Sequence, residues 1–148
     1  MIRSASIPAG EQIIETMLAL ANCSKEQQII VTGSKGIEIA FELIHRGFTR
    51  AMWSANCGQP AGQYDVAWVD WRQRPLRELD TTLDWLLNFL NPVGVLVVWV
   101  DPQKSTANQE LLAVLQRLGL VIEATTLRAH GSALAARRRK MSPLSQVA

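Results

Sequence analysis

A mostly parallel β-sheet with helices on both faces is the fold class this sequence predicts, from three observations. Short apolar runs alternate with helical patterns of ten to fifteen residues along most of the 148-residue chain. Two of those runs, YDVAWVDW at residues 64 to 71 and Val93 to Val100, are apolar almost throughout, as suits strands covered on both faces. The stretch QQIIVTGSKGIEIAFELIHRGF, residues 27 to 48, passes from an apolar strand through a glycine turn straight into a helix, which is the first half of a βαβ unit.

Each element follows from its residues. Residues 9 to 22 place Ile13, Ile14, Met17 and Leu18 at helical spacing and make a leading amphipathic helix. Ile29, Ile30 and Val31 form the first strand, ending at Gly33. Ile37, Ala40, Phe41 and Ile44 then repeat at three and four, with Gly47 as the stop of that helix. Residues 50 to 54 are a second strand, and the loop ANCGQPAGQ follows it. After the third strand, Leu76, Leu79, Leu83, Leu86, Leu87 and Leu90 mark a helix closed by Asn91-Pro92. Val93 to Val100 is the most hydrophobic strand and belongs at the centre of the sheet. Leu111, Leu112, Leu115 and Leu118 give the last helix. LVIEATTL and SALAARR follow as two strands whose turn, Arg128 to Gly131, is too short for a crossover, so they pair antiparallel.

Composition sets bounds. With 48% hydrophobic residues the chain can bury a core without disulfides or metal. A single domain over residues 1–138 is expected, with 139–148 as a polar tail. The formal charge of +2 conceals a split: the cluster Arg137, Arg138, Arg139 and Lys140 carries +4, which leaves 11 basic against 13 acidic residues elsewhere, or −2. The body is not a basic nucleic-acid surface, and the cluster is expected to be a solvated tail. No apolar run reaches membrane-span length and the N-terminus lacks the apolar core of a secretory signal, so a cytoplasmic protein is expected. Cys23 and Cys57 lie 34 apart with no CxxC partner and are expected to be free thiols.

The order of elements, with its closing antiparallel pair, resembles the class I S-adenosylmethionine-dependent methyltransferase fold over about residues 10 to 138. The resemblance implies a Rossmann-like three-layer sandwich of about six strands in the order 2-1-3-4-6-5, the last antiparallel. Between Ser54 and Tyr64 there is no room for the further helix and strand of full-length members, so one βα unit is expected to be missing. An apolar face left uncovered by that loss would suit a second copy, and a homodimer is expected.

The resemblance also implies a rim for S-adenosylmethionine or another nucleotide-like small molecule, formed by Thr32, Gly33, Ser34, Gly36, Ser54, Asn56, Asp70 and Trp71. The cofactor motifs are degenerate there. In the family's acid-x-Gly-x-Gly loop, Val31 stands in place of the acid and Lys35 in place of the second glycine. Ser54, Ala55 and Asn56 offer no carboxylate for the ribose, and the Asp/Asn-Pro-Pro-aromatic motif is absent at Asp70-Trp71-Arg72-Gln73. Gly33 and Gly36 alternatively serve only a tight turn. Asp70 and Asp101 are read as solvated loop acids, His45 and His130 as surface residues, and Trp53, Trp68, Trp71, Trp85 and Trp99 as mostly core, with Trp71 the one placed to stack on an adenine. Short-chain dehydrogenase chemistry is excluded because Tyr64 is followed four residues later by Trp68 rather than lysine, and Ser34-Lys35-Gly36 does not make a Walker loop. Two functions follow: a methyltransferase-like protein with a weak cofactor crevice, or a non-catalytic binding or assembly module on the same fold.

Overall fold

The computed structural model describes residues 9–53, 62–72, 74–101, 105–128 and 131–138. In chain order these form α1 (Ala9–Ala21), β1 (Ile29–Gly33), α2 (Gly36–His45), β2 (Ala51–Trp53), β3 (Tyr64–Trp71), α3 (Leu79–Leu86), β4 (Leu90–Val100), α4 (Ser105–Arg117), β5 (Leu120–Arg128) and β6 (Gly131–Arg138). The strands make one six-stranded sheet in the order β2-β1-β3-β4-β6-β5. β1, β2, β3 and β4 run parallel, and β6 pairs antiparallel with both β4 and β5. This is the predicted Rossmann-like order, with β1 interior and β2 at the border.

Strand alternation divides the core into two layers. Ile29 and Val31, Val66 and Trp68, and Val95, Val97 and Trp99 meet Ile13, Met17, Ile39 and Leu43 of α1 and α2. On the opposite face Ala67, Val69, Trp71, Leu96 and Val98 meet Leu79, Leu83 and Leu86 of α3 and Leu111 and Leu115 of α4. β3 and β4 supply side chains to both layers, which is why their sequences read as unbroken apolar runs.

Three expectations are corrected. The leucine pattern over residues 76 to 90 is not one helix: only Leu79–Leu86 is α-helical, between 3-10 turns at Leu76–Glu78 and Leu87–Phe89. Leu90 already belongs to β4, opposite Tyr64, so Asn91-Pro92 lies inside the start of that strand instead of capping the helix. Of the cluster expected to be a solvated tail, Arg137 and Arg138 lie in β6, as the strand reading of SALAARR has them. The Arg137 guanidinium donates to Glu123 (2.8 Å) and to the Val93 carbonyl, while Arg138 donates to the carbonyls of Leu87, Leu90 and Asn91 and so ties β6 to the junction of the 3-10 turn and β4. Arg139 and Lys140 lie outside the described residues.

Among the described residues no helix is long and apolar enough to cross a membrane, and no cluster of His, Cys, Asp and Glu could hold a metal ion. Cys23 is a free, half-buried thiol; Cys57 and His130 fall outside the described residues.

Candidate functional site

The carboxyl ends of β1 and β3 lie side by side, Gly33 opposite Asp70. At that rim the chain bends from β1 into α2 with Gly33 at φ +115°, a conformation favouring glycine. A Cβ on Gly33 would fall inside the van der Waals envelope of the Asp70 carbonyl oxygen. The next residue tightens the same contact: Ser34 N–H donates to the Asp70 carbonyl (2.8 Å) and its hydroxyl donates to the Arg72 carbonyl. Gly33 and Ser34 are thus fastened to the end of β3 by main-chain and side-chain bonds.

Asp70 is fully buried, against the expectation of a solvated loop acid, and it is the one buried charged side chain among the described residues. Both of its carboxylate oxygens are taken by Arg72, Oδ1 by Nε (2.8 Å) and Oδ2 by Nη2 (2.6 Å), a bidentate pair that is the strong geometry for these groups. The hydrogen bonds to Asp70 hold the Arg72 guanidinium above its ordinary pKa; partial burial opposes this, and the charges of Asp70, Asp101 and Glu38 add to it. Arg72 therefore sits as a fixed cation at the rim, near the acids of β4's end and of α2's first turn.

Beside this staple runs a crevice of about 370 Å3, lined by Gly33, Ser34, Lys35, Gly36, Ile37, Glu38 and Trp53. Its floor is the start of α2, where Lys35 occupies the N-cap without a side-chain hydrogen bond, so amides of the first turn face outward without a side-chain cap. Lys35 and Glu38 form an exposed pair at 3.8 Å. The indole of Trp53 leans over Gly36, its Cδ1 and Nε1 2.8 Å from where a Cβ would be. Gly36 is thus fitted to a side chain of its own protein.

Of the residues predicted for the rim, Gly33, Ser34, Gly36 and Asp70 converge; Thr32 is half-buried within β1, paired with Val69. Ser54 and Asn56 lie outside the described residues. Trp71 continues β3 on the side of Ala67 and Val69, is 2% exposed, donates its indole N–H to the Pro75 carbonyl (3.0 Å) and carries the Arg74 guanidinium 4.4 Å from its ring centre. Trp68 and Trp99 are core as expected, while Trp53 and Trp85 are each 39% exposed. Sequence reasoning passed over Trp53 and Arg72. Both had a signal: Asp-x-Arg at a strand end puts opposite charges on one face, and Trp53 closes the strand next to the glycine loop.

No family model matches the sequence, and no curated protein matches it. Solved structures do. The ribosomal protein L11 methylase of Lactobacillus delbrueckii subsp. bulgaricus superposes with a TM-score of 0.64 at 12% identity, covering 90% of this chain and 81% of that one. The 1,6-didemethyltoxoflavin-N1-methyltransferase of Burkholderia thailandensis, solved with S-adenosylhomocysteine, gives 0.57 at 12% identity, covering 93% and 85%. The cyclase SpnF gives 0.61 at 14% identity, covering 88% and 82%. The strand order, the closing antiparallel pair and these superpositions together establish that the chain has the class I S-adenosylmethionine-dependent methyltransferase fold.

Proposed function

We propose that this chain is a non-catalytic binding module built on the methyltransferase fold, with its own side chains filling the rim where the fold's enzymes hold a cofactor. The observation that carries this reading is the state of Asp70, buried with both oxygens on Arg72, so that the acid at the end of β3 is engaged and enclosed within its own chain. S-adenosylmethionine held in the family's manner needs close main-chain approach at the first loop and a carboxylate after the second strand. At Gly33 that approach is made by the Asp70 backbone and at Gly36 by the Trp53 indole, Val31 and Lys35 replace two residues of the motif, and no acid follows Trp53 before Tyr64. The described residues do not fit that mode, and no transfer step is assigned to them.

A second reading, a weak nucleotide or S-adenosylmethionine site, is favoured by the crevice along Gly33 to Glu38 and its uncapped helix start, which suit an anionic group beside the open part of the Trp53 ring. Calorimetric titration with S-adenosylmethionine and S-adenosylhomocysteine separates the two. The first reading expects no binding heat from the wild-type chain. A dissociation constant below about 100 micromolar for either compound, weakened in Trp53→Ala, would replace it with the second. Gly33→Val is unsuited to this test, because its side chain would collide with Asp70 whether or not a ligand binds.

A further inference from the structure

The border strand β2 has β1 as its hydrogen-bonded neighbour and, among the described residues, no strand on its other side. Helix α2 lies over β1 and β2. Its buried residues Gly36, Ile39, Ala40 and Leu43 face the sheet, and on one flank Arg46 reaches Glu15 of α1 (3.9 Å). At 100° per residue, Ile37, Phe41 and Ile44 align on the opposite flank, which therefore points away from α1 and past the border of the sheet. Phe41 is 68% exposed, and Ile37 and Ile44 about two-fifths. Met52 and Trp53 are also about two-fifths exposed, Trp53 on the α2 side of β2 and Met52 on the other, where it accepts the Tyr64 hydroxyl's hydrogen bond at 3.3 Å. Five large apolar side chains thus surround an open strand.

We propose that this border is the contact between two copies of the chain, related by a two-fold axis normal to the sheet, with β2 of each running antiparallel to the other. The geometry selects a second copy over an unrelated partner. Strands lie about 4.8 Å apart, and each α2 sits roughly half a spacing inside its own β2, so joining two borders sets the two α2 helices about two spacings, or about 10 Å, apart. That is the axial separation at which helices pack, about 8–10 Å. The axis passes near Met52 in the strand and near Phe41 in the helix. Phe41 then packs on its mate and Ile37 of each copy against Ile44 of the other, while Ala51 faces the large Trp53 across the strands.

Charge agrees with this arrangement. Glu38 and His45 both stand on the outer side of the apolar stripe, two turns apart, so the two-fold axis brings Glu38 of each copy beside His45 of the other. The two α2 dipoles run antiparallel. Ile37, Glu38 and Trp53 also line the crevice at the rim, so the contact adjoins it.

Sedimentation equilibrium of the full chain tests it. The wild type is expected to be a dimer at tens of micromolar, with Phe41→Glu and Met52→Lys each raising the dissociation constant at least about tenfold while the far-ultraviolet dichroism is unchanged. Phe41→Cys under mild oxidation is expected to form a covalent dimer that the wild type, with its own two cysteines, does not form. A wild-type monomer at about 100 micromolar, a dimer indifferent to both charge substitutions, or no cross-link through position 41 would each overturn the proposal.

Discussion

The rim at β1 and β3 and the border at β2 and α2 are built from opposite principles, though one residue, Trp53, belongs to both. At the rim the polar groups of Ser34, Asp70 and Arg72 partner one another within the chain: the Asp70 carboxylate holds Arg72, the Asp70 carbonyl holds Ser34 N–H, and the Ser34 hydroxyl holds the Arg72 carbonyl. At the border, large apolar side chains are exposed and, among the described residues, β2 has no strand on its outer side. The staple at the end of β3 is internally paired, whereas the border of β2 is, among the described residues, open. This contrast teaches that the centre and the border of the sheet do different work: β3 and β4 send side chains into both core layers, whereas β2 has a single strand neighbour among the described residues.

The largest effect is expected at the rim. Gly33→Ala adds a Cβ against the Asp70 carbonyl and leaves a positive φ on a residue that resists it, so unfolding in urea should show a loss of about 3 kcal/mol or more, or no folded protein. A loss below about 1 kcal/mol would mean that the rim is looser than described.

An intermediate effect is expected at Cys23, just past the end of α1 and packed against the first core layer. Burial pushes its thiol up from 9.0 to about 11. The folded state therefore binds the proton more tightly than the unfolded state. The stability this contributes is complete below pH 9 and lost as pH rises to about 11, a loss of about 2–3 kcal/mol. Urea unfolding of wild type and Cys23→Ala from pH 8 to 11 should show the difference between them shrinking across that window. A constant difference would contradict the burial of this thiol.

The smallest effect on stability is expected at the border. Phe41→Ser, measured at sub-micromolar concentration where association is negligible, should change unfolding by no more than about 0.5 kcal/mol. A loss of about 2 kcal/mol would show that Phe41 packs within its own chain and would erase the contrast.

The sheet was legible because its central strands are apolar on both faces and its helices carry clear three-four spacing; β3 was read residue for residue as Tyr64–Trp71. The start of β4 was not, since a leucine every three or four residues continues across a 3-10 turn into extended backbone, and periodicity does not register that change until Pro92. At the rim, Gly33 was legible as a turn but its partner was not, because the close approach comes from a residue 37 positions away. Trp71 was misjudged for a related reason: the tryptophan's place just beyond the apolar run suggested an exposed ring, whereas alternation along β3 assigns it to the face of Ala67 and Val69, under α3. The degenerate motif, in contrast, was readable from the sequence, and the structure adds what fills its place.

The claim that the rim is fastened by Asp70 and Arg72 is tested most directly by a double-mutant cycle of Asp70→Asn and Arg72→Met, read by equilibrium unfolding in urea at neutral pH. The account predicts a coupling of about 2 kcal/mol or more, with Arg72→Met the more damaging single change because it strands a buried carboxylate. A coupling within about 0.5 kcal/mol of zero would contradict it, since the pair would then contribute no more than an exposed salt bridge and the rim would be free to serve a ligand.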